Sequence, residues 1–120
     1  MPIILPSRLP AAGQLRREGL PVLQSGDGFI GATPLRVLLV NLMPDKPRVE
    51  AQFARLLAAA PHLVELSFTV PESHHWRHTD PAHLSSFYLP WSEARRRDFD
   101  ALIVTGAPVE TVAFEAVDYW

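Results

Sequence analysis

Residues 35–43 (LRVLLVNLM) form a nearly unbroken apolar run, and the turn Pro44-Asp45-Lys46-Pro47 follows at once. A run this short and this apolar is the pattern of a strand covered on both faces in a parallel sheet, and it reads as a central strand. The turn leads into a helix. Asp45 can cap the amides of the first turn, and Pro47 is tolerated there because those amides have no helical partner. Val49, Phe53, Leu56, Leu57 and Ala60 recur at helical spacing on one face, with Arg48, Glu50, Gln52 and Arg55 on the others, and Pro61 ends the element. Residues 63–70 then alternate, Val64, Leu66, Phe68 and Val70 against Glu65, Ser67 and Thr69, as a strand nearer a sheet edge does. Strand, helix and strand make a βαβ unit, expected to be right-handed.

A long connection, residues 71–98, carries two short helix candidates at 81–88 and 93–97. Residues 99–105 (FDALIVT) form a third strand that stops abruptly at Gly106-Ala107-Pro108. A tight turn is therefore expected at the carboxyl end of a parallel strand, where open α/β sheets place their ligands. Residues 1–34 are punctuated by Pro2, Pro6, Pro10, Pro21 and Pro34 and read as an irregular arm, with one short helix at 11–18 ended by Gly19. The organisation is an arm, 1–34, and the first part of an α/β domain, 35–120: a doubly wound parallel sheet, incomplete in this chain and expected to leave strand edges exposed.

With 48% hydrophobic and 20% charged residues over 120, the chain has the makeup of one globular domain or a piece of a larger one. A net charge of −2 gives no reason to expect nucleic acid as a partner. No apolar run is long enough for a membrane span and the amino terminus lacks signal-peptide character, so the chain reads as cytoplasmic. Cysteine is absent, which excludes disulfides, thiolate metal sites and a cysteine nucleophile within these residues.

Several patterns yield to simpler readings. Gly26-Asp27-Gly28-Phe29-Ile30-Gly31 matches a dinucleotide fingerprint in form, but a strand and Pro34 follow where a helix is required, so no cofactor is expected there. His74, His75, His78 and His83 cluster in a stretch broken by Pro71 and Pro81 and read as a solvated loop rather than a metal site. Arg95-Arg96-Arg97 could meet phosphates but stand beside Glu93, Asp98 and Asp100, as a solvated face does. Trp76 and Trp91 read as cover for the sheet. Ser85-Ser86 lacks the context of a nucleophile elbow.

Asn41-Leu42-Met43-Pro44 with Lys46, Glu50, Gln52-Phe53 and Arg55-Leu56-Leu57 resembles the first βα turn of the homoserine O-succinyl/acetyltransferase family of methionine biosynthesis. His83-Leu84, Phe87-Tyr88, the block 99–110 (FDALIVTGAPVE), Phe114-Glu115 and Val117-Asp118-Tyr119-Trp120 continue the resemblance in order, and Met1-Pro2-Ile3 and Leu9-Pro10-Ala11 fit its start. Val49 departs from the threonine usual there.

The resemblance implies a flavodoxin-like fold similar to class I glutamine amidotransferases. It also implies a ping-pong acyl transfer from acetyl-CoA or succinyl-CoA to L-homoserine through a cysteine nucleophile, with a histidine base and an orienting glutamate. All three catalytic residues would lie downstream of this chain, which reads as an amino-terminal portion. No metal and no cofactor beyond the acyl-CoA substrate is implied. The turn Gly106 to Val109 would contribute to an oxyanion hole, through Gly106, Ala107 and above all the backbone N–H of Val109. Glu110 would mark acetyl over succinyl as the donor. From the residues alone, an ordinary βα turn and a solvated carboxylate remain open. So do a noncatalytic binding or dimerisation module, a family member acylating serine, and a homodimer contact through the arm.

Overall fold

The computed structural model describes residues 2–24, 33–71 and 81–106. In chain order the elements are β1 (Ile3–Leu5), α1 (Pro10–Arg17), β2 (Val22–Gln24), β3 (Leu35–Val40), α2 (Lys46–Ala58), β4 (Val64–Val70), α3 (Pro81–Phe87), β5 (Tyr88–Pro90), α4 (Trp91–Ala94) and β6 (Ala101–Val104). The strands form one six-stranded sheet in the order β2-β1-β4-β3-β6, with β5 also on β4. Every recorded pairing is parallel. This is the α/β, flavodoxin-like doubly wound architecture expected from the sequence.

The three long strands lie where the apolar patterning puts them, but β4 is interior rather than nearer an edge. One of its edges carries β3, Leu35 opposite Val64 through Val40 opposite Thr69. The other carries β1 at residues 64–65 and β5 at residues 68–70. Its alternating polar positions are satisfied inside the sheet: Glu65 pairs with Arg36 at 3.5 Å, and Thr69 donates to the Leu89 carbonyl at 2.8 Å. Within the stretch read as an irregular arm, β1 and β2 join the sheet. Each is three residues long, too short to show a period of two.

One face of the sheet, carrying Ile3, Leu5, Val37, Leu39, Val64, Leu66 and Phe68, shares a core with Ala11, Ala12 and Leu15 of α1 and Ala51, Ala54 and Ala58 of α2. α1 begins at Pro10 and ends at Gly19, whose φ of 84° is left-handed. The amides of Gly19 and Leu20 return to the carbonyls of Arg16 and Leu15, the Schellman closure that a glycine permits. Arg55 of α2 grips Glu18 just beyond it through two hydrogen bonds of 2.8 Å, which hold the Glu18 carboxyl below the ordinary carboxylate pKa.

α2 is capped as its sequence dictates: Asp45 accepts from the Arg48 amide at 3.4 Å, with proline in the first turn. Its buried face matches the expected one in part: Val49 is buried, and Phe53, Leu57 and Ala60 pack at the margin of the core. Lys46, Val49, Glu50, Ala51, Ala54 and Ala58 are buried, whereas Leu56 is 70% exposed. Where a helix approaches a sheet and another helix closely, small side chains occupy the contact and long ones are displaced to its margins. The last helix candidate is shifted as well: α4 spans Trp91–Ala94, with Trp91 at its start 40% exposed.

Candidate functional site

The sheet order creates a switch point. From β3 the chain crosses through α2 to β4 on one side, and its next long strand, β6, lies on β3's other side. The carboxyl ends of β3 and β6 therefore lie side by side where the strand order reverses, the position at which open α/β sheets form a ligand crevice. The two ends are tied together. Thr105, just past β6, sends its amide to the Val40 carbonyl at 3.0 Å. Its hydroxyl accepts from the Leu42 amide at 2.8 Å and donates to the Gly106 carbonyl at 2.9 Å.

Gly106 is exposed at this point. Among the described residues a side chain added to it would meet nothing within 4 Å, and its φ is not left-handed. Neither crowding nor backbone conformation requires glycine there. Ala107, Val109 and Glu110 lie outside the described residues, as do His74, His75, His78, Trp76 and the glycine-rich residues 26–31.

Behind the β3 end lies a polar cluster with no exposure. Asn41, Lys46, Glu50 and Thr69 are all 0% accessible. Glu50 is the hub. Its carboxylate accepts from the Tyr88 hydroxyl at 2.5 Å and from His83 Nε2, which lies 2.9 and 3.0 Å from its two oxygens. A carboxylate only accepts, so His83 turns a protonated Nε2 toward it. Tyr88 in turn accepts from Asn41 Nδ2 at 2.9 Å, and Asn41 Oδ1 accepts from the Met43 amide at 3.2 Å. Lys46 Nζ donates to the Met43 carbonyl at 2.7 Å. The turn 41–46 is thus pinned from inside by residues of α2, α3 and β5.

The electrostatics follow from this burial. Loss of solvation pushes the Lys46 ammonium down to about 8, partly offset by the charge of Glu50. Loss of solvation also raises the Glu50 carboxyl, opposed by the hydrogen bonds from Tyr88 and His83 and then by the charges of His83 and Lys46. Burial and the adjoining carboxylate push the Tyr88 phenol far above its ordinary range, so it remains a donor. A lysine beside this strand-to-helix turn, with a carboxylate that can hold its charge, can stabilise negative charge or hold a proton. Among the described residues no group of three or more His, Cys, Asp and Glu is placed to hold a metal. No helix among them is long and apolar enough to cross a membrane.

The sequence reading singled out Gly106 for the site but not the cluster behind it, although Lys46, Glu50, His83 and Tyr88 all belong to the resemblance. A signal was present: Lys46, Glu50, Ala54 and Ala58 fall at successive fourth positions of α2, one line along the helix. Two alanines on that line mark it as the close-packed side. Arg95 and Arg96 are exposed, and Arg97 pairs with Glu93 at 2.6 Å across one turn, the solvated face expected of the arginine run.

A parallel α/β sheet with a charged, buried support behind its switch-point turn belongs to the doubly wound α/β proteins, whose ligands sit at such turns. The whole described structure falls within a family match: residues 2–120 match the homoserine O-succinyltransferase family, and the chain belongs to it. It is 46% identical over 121 residues to homoserine O-acetyltransferases of Brucella canis, Brucella suis and Brucella abortus. These alignments cover 100% of this chain and 40% of each relative, so the chain spans well under half the length of the relatives it matches.

Proposed function

We propose that this chain forms the amino-terminal part of a cytosolic acyl-CoA:L-homoserine O-acyltransferase of methionine biosynthesis. The family match over residues 2–120 carries the reading. In it the turn after β6 supplies part of the oxyanion hole, with Gly106, Ala107 and the Val109 amide aimed at the developing charge. Fixed donors of this kind are worth roughly 10²–10³-fold in rate each. The exposed, uncrowded position of Gly106 at the switch point supports an acyl carbon approaching there. The cysteine, histidine and glutamate that do the covalent chemistry come from the rest of the family's length, and no cofactor beyond acyl-CoA takes part. By itself the chain is inactive, because an oxyanion turn cannot replace a nucleophile and a base.

Acetyl-CoA is the proposed donor. The Brucella relatives named above as acetyltransferases favour it, and Glu110 supplies the reason. A carboxylate lining the acyl pocket fills space beyond the acetyl methyl and repels the distal carboxylate of a succinyl group. Two unit charges about 5 Å apart at an effective dielectric near 20 repel by roughly 3 kcal/mol, about a hundredfold in donor preference. The test joins this chain to the remaining length of a Brucella relative and compares both donors. Glu110→Gly is expected to raise kcat/KM for succinyl-CoA relative to acetyl-CoA, and Glu110→Gln to do so less, since it removes charge but keeps bulk. An unchanged ratio in both variants places Glu110 in solvent. Absence of acyl transfer by the parent fusion leaves the noncatalytic module as the better reading, and transfer to serine in place of homoserine changes the acceptor alone.

A further inference from the structure

The chain contains one lysine, and it is among the most deeply buried of its side chains. An ammonium without exposure is costly unless an opposite charge and hydrogen bonds hold it. Lys46 donates to the Met43 carbonyl, and Glu50 stands one helical turn further along α2. Glu50 is itself fully buried, yet it receives two donors from elements distant in sequence, Tyr88 of β5 and His83 of α3. The titratable groups recorded around it, among the described residues, are Lys46, His83 and Tyr88, while β3 continues into the neutral amide of Asn41. A carboxylate that served packing alone would be better replaced by an apolar side chain of the same size. This one is gripped on both oxygens and aligned with the only lysine.

We propose that Glu50 is a positioning residue for the switch-point crevice: clamped by Tyr88 and His83, its carboxylate keeps Lys46 an ammonium and holds the turn 41–46 in one arrangement. The charge, rather than the shape, of Glu50 is the operative property. Glu50→Gln keeps size and an acceptor for Tyr88 but removes the charge. Tyr88→Phe removes a hydrogen bond but leaves the charge. The two variants therefore separate the two roles. The catalytic consequence rests on the acyltransferase reading; the effect on Lys46 does not.

A single lysine makes the primary measurement unambiguous. With ¹³C-labelled lysine, the chain gives one side-chain Cε resonance, whose pH titration reports Lys46 directly. In the unsubstituted chain it is expected to titrate near 8. In Glu50→Gln the midpoint should fall by about one pH unit or more, the scale on which a lost neighbouring charge acts. In Tyr88→Phe it should move by less than half as much. An unchanged midpoint in Glu50→Gln, or an equal fall in Tyr88→Phe, overturns the proposal. So does a rise in Glu50→Gln toward about 10.4, the value of a solvated lysine, which would mark Glu50 as needed for folding alone.

In the fusion with a relative's remaining length, Glu50→Gln should lower kcat at pH 7.5 about tenfold with little change in KM. It should also shift the alkaline limb of the rate profile in step with the resonance. Unchanged kcat and limb would refute the positioning role in catalysis. An inactive parent fusion would refute the acyltransferase reading while the resonance still decides the role of Glu50.

Discussion

Leu39, inside β3, and Asn41, just past its end, stand two residues apart, and both have 0% exposure, yet they belong to different kinds of interior. Leu39 shares a core with Phe68, Leu66, Val37 and the alanines of α2, where the one polar side-chain atom is the Tyr88 hydroxyl, bonded to Glu50 of the other cluster. Around Asn41 the neighbours are Tyr88, Glu50, Lys46 and the backbone of residue 43, a core that is polar and hydrogen-bonded. Burial therefore does not separate structure from function in this protein; the chemistry of what is buried does. The apolar region is stabilised by removing surface from water, a term indifferent to pH. The polar region gains only when its charges are matched, so its contribution must change with pH.

The sharpest way to break this contrast is truncation in the apolar region. Phe68→Ala removes a fully buried ring stacked 5.4 Å from Tyr88 and should cost about 3–5 kcal/mol, with a loss that is the same at pH 6 and pH 9. Chemical denaturation at both pH values checks it, and a loss that varied with pH would show that the two regions are not separate.

The next effect lies in the polar region. Lys46 has a folded value of about 8 against 10.5 when unperturbed. Between these values the unfolded chain binds more protons than the folded one, so stability rises with pH. The gain is absent below pH 8, and by linkage it amounts to about 3 kcal/mol if completed. Tyr88 works against it above about pH 10, where the unfolded phenol ionises and the buried one does not. The melting temperature should therefore climb from pH 8 toward pH 10 and then stop climbing. Lys46→Met should be flat over that window and less stable than the parent at pH 7, because removing one partner leaves the Glu50 carboxylate buried without its opposite charge.

The smallest effect is expected at β6. Leu102 and Val104 are 56% and 57% exposed on the side of the sheet away from the core beneath α1 and α2. Leu102→Ser should change stability by no more than about 0.5 kcal/mol. A loss comparable to that of Phe68→Ala, measured by the same denaturation, would mean that this face is covered.

Much of the frame was legible because it follows from local chemistry. The apolar run of residues 35–43, the Asp45 cap with Pro47, the stop at Pro61 and the closure at Gly19 each act within a few residues, and the structure places β3, α2, β4 and the end of α1 accordingly. β1, β2 and β5 were not legible, because three residues carry no periodicity and such strands exist only by pairing, β1 and β5 on β4 and β2 on β1. The buried face of α2 was legible only in part, for a related reason. Hydrophobic patterning gives weight to Phe53 and Leu56, whereas close packing selects Ala51, Ala54 and Ala58.

What the sequence determined by itself is therefore the succession of long elements and the turns that end them, since propensity, capping and proline sterics need no distant partner. The switch point and the cluster behind it were decided only by the tertiary structure. His83 and Tyr88 lie 33 and 38 residues from Glu50, and Thr105 lies 63 from Leu42. Glu50 on a helix reads as a solvated carboxylate until the fold removes its water and puts a phenol and an imidazole in its place, because solvation is a property of the assembled interior.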